Sequence, residues 1–151
     1  MEELVAILKN KELTLSCAES LTCGLFASYL GKFPGVSRVF KGGAVTYMNE
    51  AKVRLLNIEP ALIEEYGVVS EECASKMARG IAHALNTDVA ISFTGNAGPS
   101  VLEGKEVGLV YIGIYIKGTT FVFENHFQGD RDSIRETSVK VGKEKLLQLL
   151  Q

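Results

Sequence analysis

The segment Asp88-Val89-Ala90-Ile91-Ser92-Phe93 is almost wholly apolar, and it runs directly into Thr94-Gly95-Asn96-Ala97-Gly98-Pro99. A short apolar run of this kind is a strand buried on both faces. A loop at the carboxyl end of such a strand is where α/β sheets gather their ligands. The clearest helix of the chain comes just before it. After Ser70, the residues Ala74, Met77, Ala78, Ile81, Ala82 and Leu85 line one face at i, i+3, i+4 spacing. Glu71 and Glu72 fall in its first turn, where the helix dipole favours acids, and Lys76, Arg79, His83 and Asn86 lie on other faces.

The other elements follow from the same patterns. Leu4, Val5 and Leu8 predict a short amphipathic helix, and residues 13–17 a short strand. Small and apolar residues over 21–30 suit a tightly packed helix that stops at Gly31, before the turn Pro34-Gly35. Residues 39–47 read as a second strand in which Gly42-Gly43 marks a bulge or a close backbone approach. Asn49 is a good N-cap for a helix reaching about Leu56, and Pro60 opens a further short helix ending at Gly67. Residues 107–116 and 119–127 form a hairpin turning at Lys117-Gly118, and the last helix runs from about Asp130 to Leu150. The expected architecture is α/β: a three-layer α/β/α arrangement around a mixed sheet of about five strands, as one domain over residues 1–151.

Composition excludes several classes of function. The chain is 46% hydrophobic and 23% charged with a formal net charge of −2, and no basic stripe marks a nucleic-acid surface. No apolar stretch approaches the roughly 20 residues a membrane helix needs. The acidic start Met1-Glu2-Glu3-Leu4 lacks a signal-peptide pattern, so a cytoplasmic protein is expected. Cys17, Cys23 and Cys73 form no CxxC, and His83 and His126 are far apart, so no metal site and reduced thiols are expected.

Two strand ends carry residues suited to chemistry. Ser20 falls between the first strand and the helix over 21–30, where free N–H groups can hold an anion or a developing oxyanion. Taken alone it reads first as an N-cap. Lys52 falls in the first turn of the helix after Asn49, the wrong end of the dipole for a cation. With partial burial it is pushed toward neutrality, and a neutral lysine beside a serine is a workable base for acyl transfer. An ordinary surface lysine is the alternative. Tyr47 either orients substrate or relays a proton, or is a half-buried strand aromatic. The loop over 94–99 offers backbone N–H groups to a phosphate or carboxylate, although it has neither P-loop nor GxGxxG spacing. Asp130 reads as the N-cap of the last helix, and Arg131 either reaches an anionic ligand or lies in solvent.

Taken together, these segments resemble the CinA C-terminal domain family. The matches are Ala18-Glu19-Ser20-x-Thr22-x-Gly24, Gly42-Gly43-x-Val45-x-Tyr47-x-Asn49-x-x-Lys52, Gly67-x-Val69-Ser70, Thr94-Gly95-x-Ala97-Gly98-Pro99, Val107-Gly108 and Gly129-Asp130-Arg131. They occur in family order over nearly the whole chain. The resemblance implies a nicotinamide-nucleotide amidohydrolase that converts nicotinamide mononucleotide to nicotinate mononucleotide and ammonia. It implies Ser20 as nucleophile, Lys52 as its base and Tyr47 as an assisting group. Thr22, Gly24, Asn49, Thr94, Gly95, Ala97, Gly98 and Arg131 are then expected around the substrate. It implies no cofactor or metal, a small-molecule nucleotide partner and a homodimer or larger homo-oligomer. It also implies a stand-alone form without the family's N-terminal molybdopterin-binding-like domain. Three departures stand out: Cys23-Gly24 where two glycines are usual, Asn96 with Ser100-Val101 in the glycine loop, and Leu109 in place of a frequent threonine. The competing expectations are a catalytically inactive nucleotide- or partner-binding module of the same fold, and an amidase for another small carboxamide.

Overall fold

The apolar run at residues 88–93 becomes the central strand, β3 (Val89–Gly95), and it extends two residues further than its composition suggests. A computed structural model describes all residues, 1–151. On one side of β3 lie β1 (Leu15–Glu19) and the edge strand β2 (Phe40–Val45), and on the other β4 (Leu109–Ile116) and β5 (Thr119–His126). The sheet order is β2-β1-β3-β4-β5, with β1 parallel to both β2 and β3 and the β3–β4–β5 pairings antiparallel. It is a mixed five-stranded sheet with helices on both faces.

Alternation along β3 divides the core in two. Val89, Ile91 and Phe93 join Leu15, Cys17, Ile112 and Ile114 under α1 (Glu2–Asn10), α2 (Leu25–Leu30) and α6 (Arg131–Leu150). Ala90 faces the opposite layer with Ala18, under α3 (Asn49–Leu56), α4 (Pro60–Tyr66) and α5 (Glu71–Leu85), where Leu56, Val69, Met77 and Ile81 pack. The polar members of β3 are satisfied on that side. Ser92 Oγ donates to Ala74 O at 2.6 Å and Thr94 Oγ1 donates to Val68 O at 2.7 Å. Ser70 caps α5 by accepting from Cys73 N at 3.1 Å.

Gly42-Gly43 serves both purposes its composition allowed. The β1–β2 register slips between Leu15 and Ser16, leaving Lys41 unpaired, and Gly42 has φ +145°. At Gly43 a Cβ would collide with the Sγ of Cys17. Beyond the slip, Glu19 pairs with both Val45 and Phe93, so β1 and β2 end level and the parallel β3 ends two residues further on. The loops that leave them carry Ser20, Tyr47 and Asn96. The antiparallel β4–β5 pair brings the start of α6 to the same sheet end.

Two helix starts differ from expectation. The helix over 21–30 begins only at Leu25; residues 21–24 form a turn capped by Gly24 at φ +88°. The cause is Glu19, whose buried carboxylate accepts from the N–H groups of Gly24 (3.1 Å), Phe26 (3.2 Å) and Ala27 (2.9 Å). Ser20 is therefore not the N-cap, and the N-terminus of α2 is closed to any ligand anion. In α3 the cap is Met48, with Asn49 as first helical residue and no side-chain cap bond. No helix is long and apolar enough to cross a membrane.

Glu19→Gln tests the substitute cap. Its amide keeps one acceptor but turns an N–H₂ toward one or two of the three backbone donors, so unfolding in urea should show a loss of about 2 kcal/mol. No change in midpoint would remove Glu19 from the account of this turn.

Candidate active site

Freed from capping, Ser20 sits half-buried at the end of β1 with its side chain available. Its own N–H donates to Phe93 O at 3.0 Å, fixing it to the central strand. Arg135 of α6 secures the following turn, donating to Leu21 O at 3.0 Å and Thr22 O at 3.1 Å. With those carbonyls held, the N–H groups of Leu21 and Thr22 have no partner in the chain. The hydroxyls of Thr22 and Thr46 are likewise buried without a partner.

Lys52 reaches Ser20 from α3. Its side chain is 1% exposed, and Nζ lies 3.2 Å from Ser20 Oγ, 2.7 Å from Thr46 O and 3.3 Å from Tyr47 O. The approach is local in origin: residues 46–48 link β2 to α3, and Lys52 in the first turn of α3 folds back onto the carbonyls six and five residues before it. Burial pulls the Lys52 pKa below its ordinary value, opposed by negative charge at Cys73, where the thiolate forms, and at Glu103. Burial also pushes the Cys73 thiol up to about 11, with Lys52 acting in the opposite direction. Cys73 is thus a protonated, uncharged neighbour at neutral pH. A neutral lysine here can donate its two protons to Thr46 O and Tyr47 O, which leaves the lone pair for the Ser20 hydroxyl.

Above this pair opens a cleft of about 250 Å³ lined by Ser20, Leu21, Tyr47, Gly95, Asn96, Ala97, Ser100, Leu102 and Arg131. Arg131 bridges its two sides, donating to Gly98 O at 2.6 Å and to the Tyr47 hydroxyl at 2.7 Å. Tyr47 is half exposed at the rim. The N–H groups of Ala97 and Gly98 have no partner in the chain and remain available to an anion. A larger open groove of about 490 Å³ runs between α3 and α5, past Asn57, Glu59, Lys76, Arg79 and His83, but no hydroxyl or thiol nucleophile lines it.

The structure thus gathers Ser20, Lys52, Tyr47, Gly95, Ala97, Gly98 and Arg131 at one place. Gly98 joins this group through Arg131 without lining the cleft, and four other residues expected at the site stand apart from it. Gly24 gives its N–H to Glu19, and Thr22 is buried behind the turn. Asn49 is exposed at the start of α3, and Thr94 spends its hydroxyl on Val68 O. Sequence reasoning missed the roles of Glu19, Arg135, Asn96 and Leu102. No local pattern in the sequence marks any of these roles.

The departures also separate by location. Cys23 has φ +48° and an exposed thiol outside the cleft lining, so it strains the backbone without narrowing the cleft. Leu109 is buried in the α5-side core. Only Asn96 and Ser100 face the cleft. Cys23→Gly relieves a left-handed residue worth roughly 1–2 kcal/mol, less about 0.5–1 kcal/mol for the freer unfolded glycine. Urea unfolding should show a net gain of about 1 kcal/mol or slightly less, with ligand affinity unchanged. A loss of stability would mean the thiol makes a favourable contact that its exposure does not suggest.

Known proteins share this chain's sequence pattern and fold. The model of the CinA C-terminal domain matches residues 1–150. A Listeria monocytogenes protein provisionally named competence-damage inducible is 47% identical over 152 residues, covering 99% of this chain and 37% of its own length. Its Bacillus subtilis counterpart is 42% identical over 151 residues, covering all of this chain and 36% of its own length. The chain therefore spans little more than a third of the curated relatives it matches. The competence or damage-inducible protein of Enterobacter asburiae superposes with a TM-score of 0.97 at 30% identity, covering 99% of this chain and 95% of that one. A CinA superfamily protein of Escherichia coli gives 0.91 at 34% identity, covering 98% and 84% respectively. On the family match over all but its last residue, this chain belongs to the CinA C-terminal domain family.

Proposed function

We propose that the protein hydrolyses the carboxamide of a nicotinamide nucleotide, nicotinamide mononucleotide first, through an acyl-enzyme on Ser20. The observation that carries this reading is the buried Lys52 amine 3.2 Å from the Ser20 hydroxyl, at the floor of a cleft. Ser20 Oγ adds to the carboxamide carbon while its proton passes to Lys52. The oxyanion falls to the unpaired N–H groups beside the serine, Leu21 N–H first, since Leu21 also lines the cleft. Lys52 returns the proton to the nitrogen as the C–N bond breaks and ammonia leaves. Water then attacks the ester and gives a proton to Lys52, Ser20 recovers that proton as the ester bond breaks, and the carboxylic acid released loses its own proton to solvent. Arg131 and the free N–H groups of Ala97 and Gly98 form a cationic, donor-rich rim suited to the substrate phosphate.

The test is ammonia release by the purified protein from nicotinamide mononucleotide. Binding without any turnover would sink the enzyme reading in favour of a non-catalytic module of the same fold. Of the departures that would favour such a module, Cys23, Val101 and Leu109 lie outside the cleft lining, and only Asn96 and Ser100 border it. Release from simple carboxamides but not from the nucleotide would point instead to a different amide substrate.

A further inference from the structure

One wall of the cleft is a strap, residues 99–105, whose Ser100, Val101 and Leu102 are exposed. It has almost no apolar burial of its own, so something else must hold it. At its outer end Glu103 accepts from Val68 N at 2.7 Å and Val69 N at 3.0 Å, and Lys105 Nζ donates to Val69 O. At its inner end the anchor is Asn96, a residue 3% exposed. Asn96 Nδ2 donates to Leu102 O and Lys105 O, both at 3.2 Å, and Oδ1 accepts from Leu102 N at 3.0 Å. Its backbone is tied to the sheet, with N donating to Leu109 O at 3.0 Å and O accepting from Gly108 N at 2.8 Å. One buried side chain thereby links the strap to the start of β4.

We infer that Asn96 is a positioning residue that holds the strap as a fixed wall of the cleft, and that Leu102 on this wall sets how closely a ligand at Ser20 is enclosed. Leu102 is 55% exposed and lines the same cleft as Ser20, so it offers an apolar face to the body of a ligand bound there. The enclosure rests on the amidohydrolase reading; the anchoring does not. An apolar residue at 96 would leave the Lys105 carbonyl and the Leu102 N–H without partners, and the Leu102 carbonyl with only the Lys105 N–H. Since the strap is at the surface, those groups reach water most easily by lifting away from the cleft.

The experiment compares wild type, Asn96→Val and Leu102→Ala by amide hydrogen exchange and by steady-state ammonia release. In Asn96→Val the Leu102 amide should exchange at least about tenfold faster, while β3 amides stay protected. KM for nicotinamide mononucleotide should rise about tenfold with kcat within about threefold, the pattern of lost binding without lost chemistry. Leu102→Ala keeps the anchor, so it should raise KM to a similar degree with strap exchange unchanged at the neighbouring amides. Asn96→Asp serves if the valine variant does not fold, since its carboxylate keeps the bond from Leu102 N but repels both carbonyls. Unchanged exchange in a folded position-96 variant overturns the anchoring. Faster exchange with unchanged KM overturns the wall's part in enclosure. A wild type that releases no ammonia removes the nicotinamide reading and the enclosure with it, whereas the exchange comparison still decides the anchor.

Discussion

Ser20→Ala should abolish ammonia release from nicotinamide mononucleotide, with kcat lower by at least about 10³-fold, while nucleotide affinity changes by less than about threefold. The asymmetry follows from what the side chain contacts. Ser20 Oγ meets Lys52 Nζ and no other group in the chain, whereas the turn around it is held by backbone bonds to Phe93 and by Arg135. Removing one oxygen therefore leaves Leu21, Arg131 and the glycine loop where they are. Thermal melting should confirm that the variant is folded. If Ser20→Ala kept a tenth or more of wild-type turnover, acyl transfer through this residue would be wrong, and a water activated by Lys52 would be the simpler mechanism.

Lys52 carries the second large effect. Lys52→Met should lower kcat by about 10²–10⁴-fold, the range for loss of a positioned general base. Lys52→Arg is the sharper variant, because a guanidinium keeps the charge but does not deprotonate near neutral pH. It should be as inactive as the methionine variant; substantial activity would make Lys52 an electrostatic aid, not a base. The pH profile has a definite sign. The reactive form is the neutral amine, so the rate should rise with pH through the Lys52 pKa and level off above it. Burial lowers that pKa from 10.5, which moves the rising limb toward neutrality and enlarges the reactive fraction there. Glu103 opposes this by favouring the charged amine. A profile falling with increasing pH across that limb would contradict the assignment.

Several features of this arrangement were legible from local pattern. The apolar run ending at Phe93, the Ser70 cap with the face Ala74 to Ala82, and the Lys117-Gly118 turn all report short-range constraints. Strand ends were less legible, since Thr94 and Gly95 look like loop in sequence yet pair with Tyr111 and Val110. The start of α2 was misread because serine is a common N-cap, and nothing local shows that a carboxylate one residue earlier can turn back to fill that role. Asn96 looked like a substitution within a loop, and its three side-chain partners lie six and nine residues away across a turn.

The sequence alone determined which segments become strands and helices, and that three of those segments bear serine, lysine and glycine-rich ends, because period and turn chemistry act over a few residues. Whether Ser20 and Lys52 meet is a different kind of fact. They are 32 residues apart, and they touch because β1 and β2 pair as far as Glu19 and Val45 while Lys52, seven residues beyond Val45, packs into the interior. Only the tertiary structure decides such a meeting, since long-range packing and exclusion of water, not local preference, place the amine and shift its protonation.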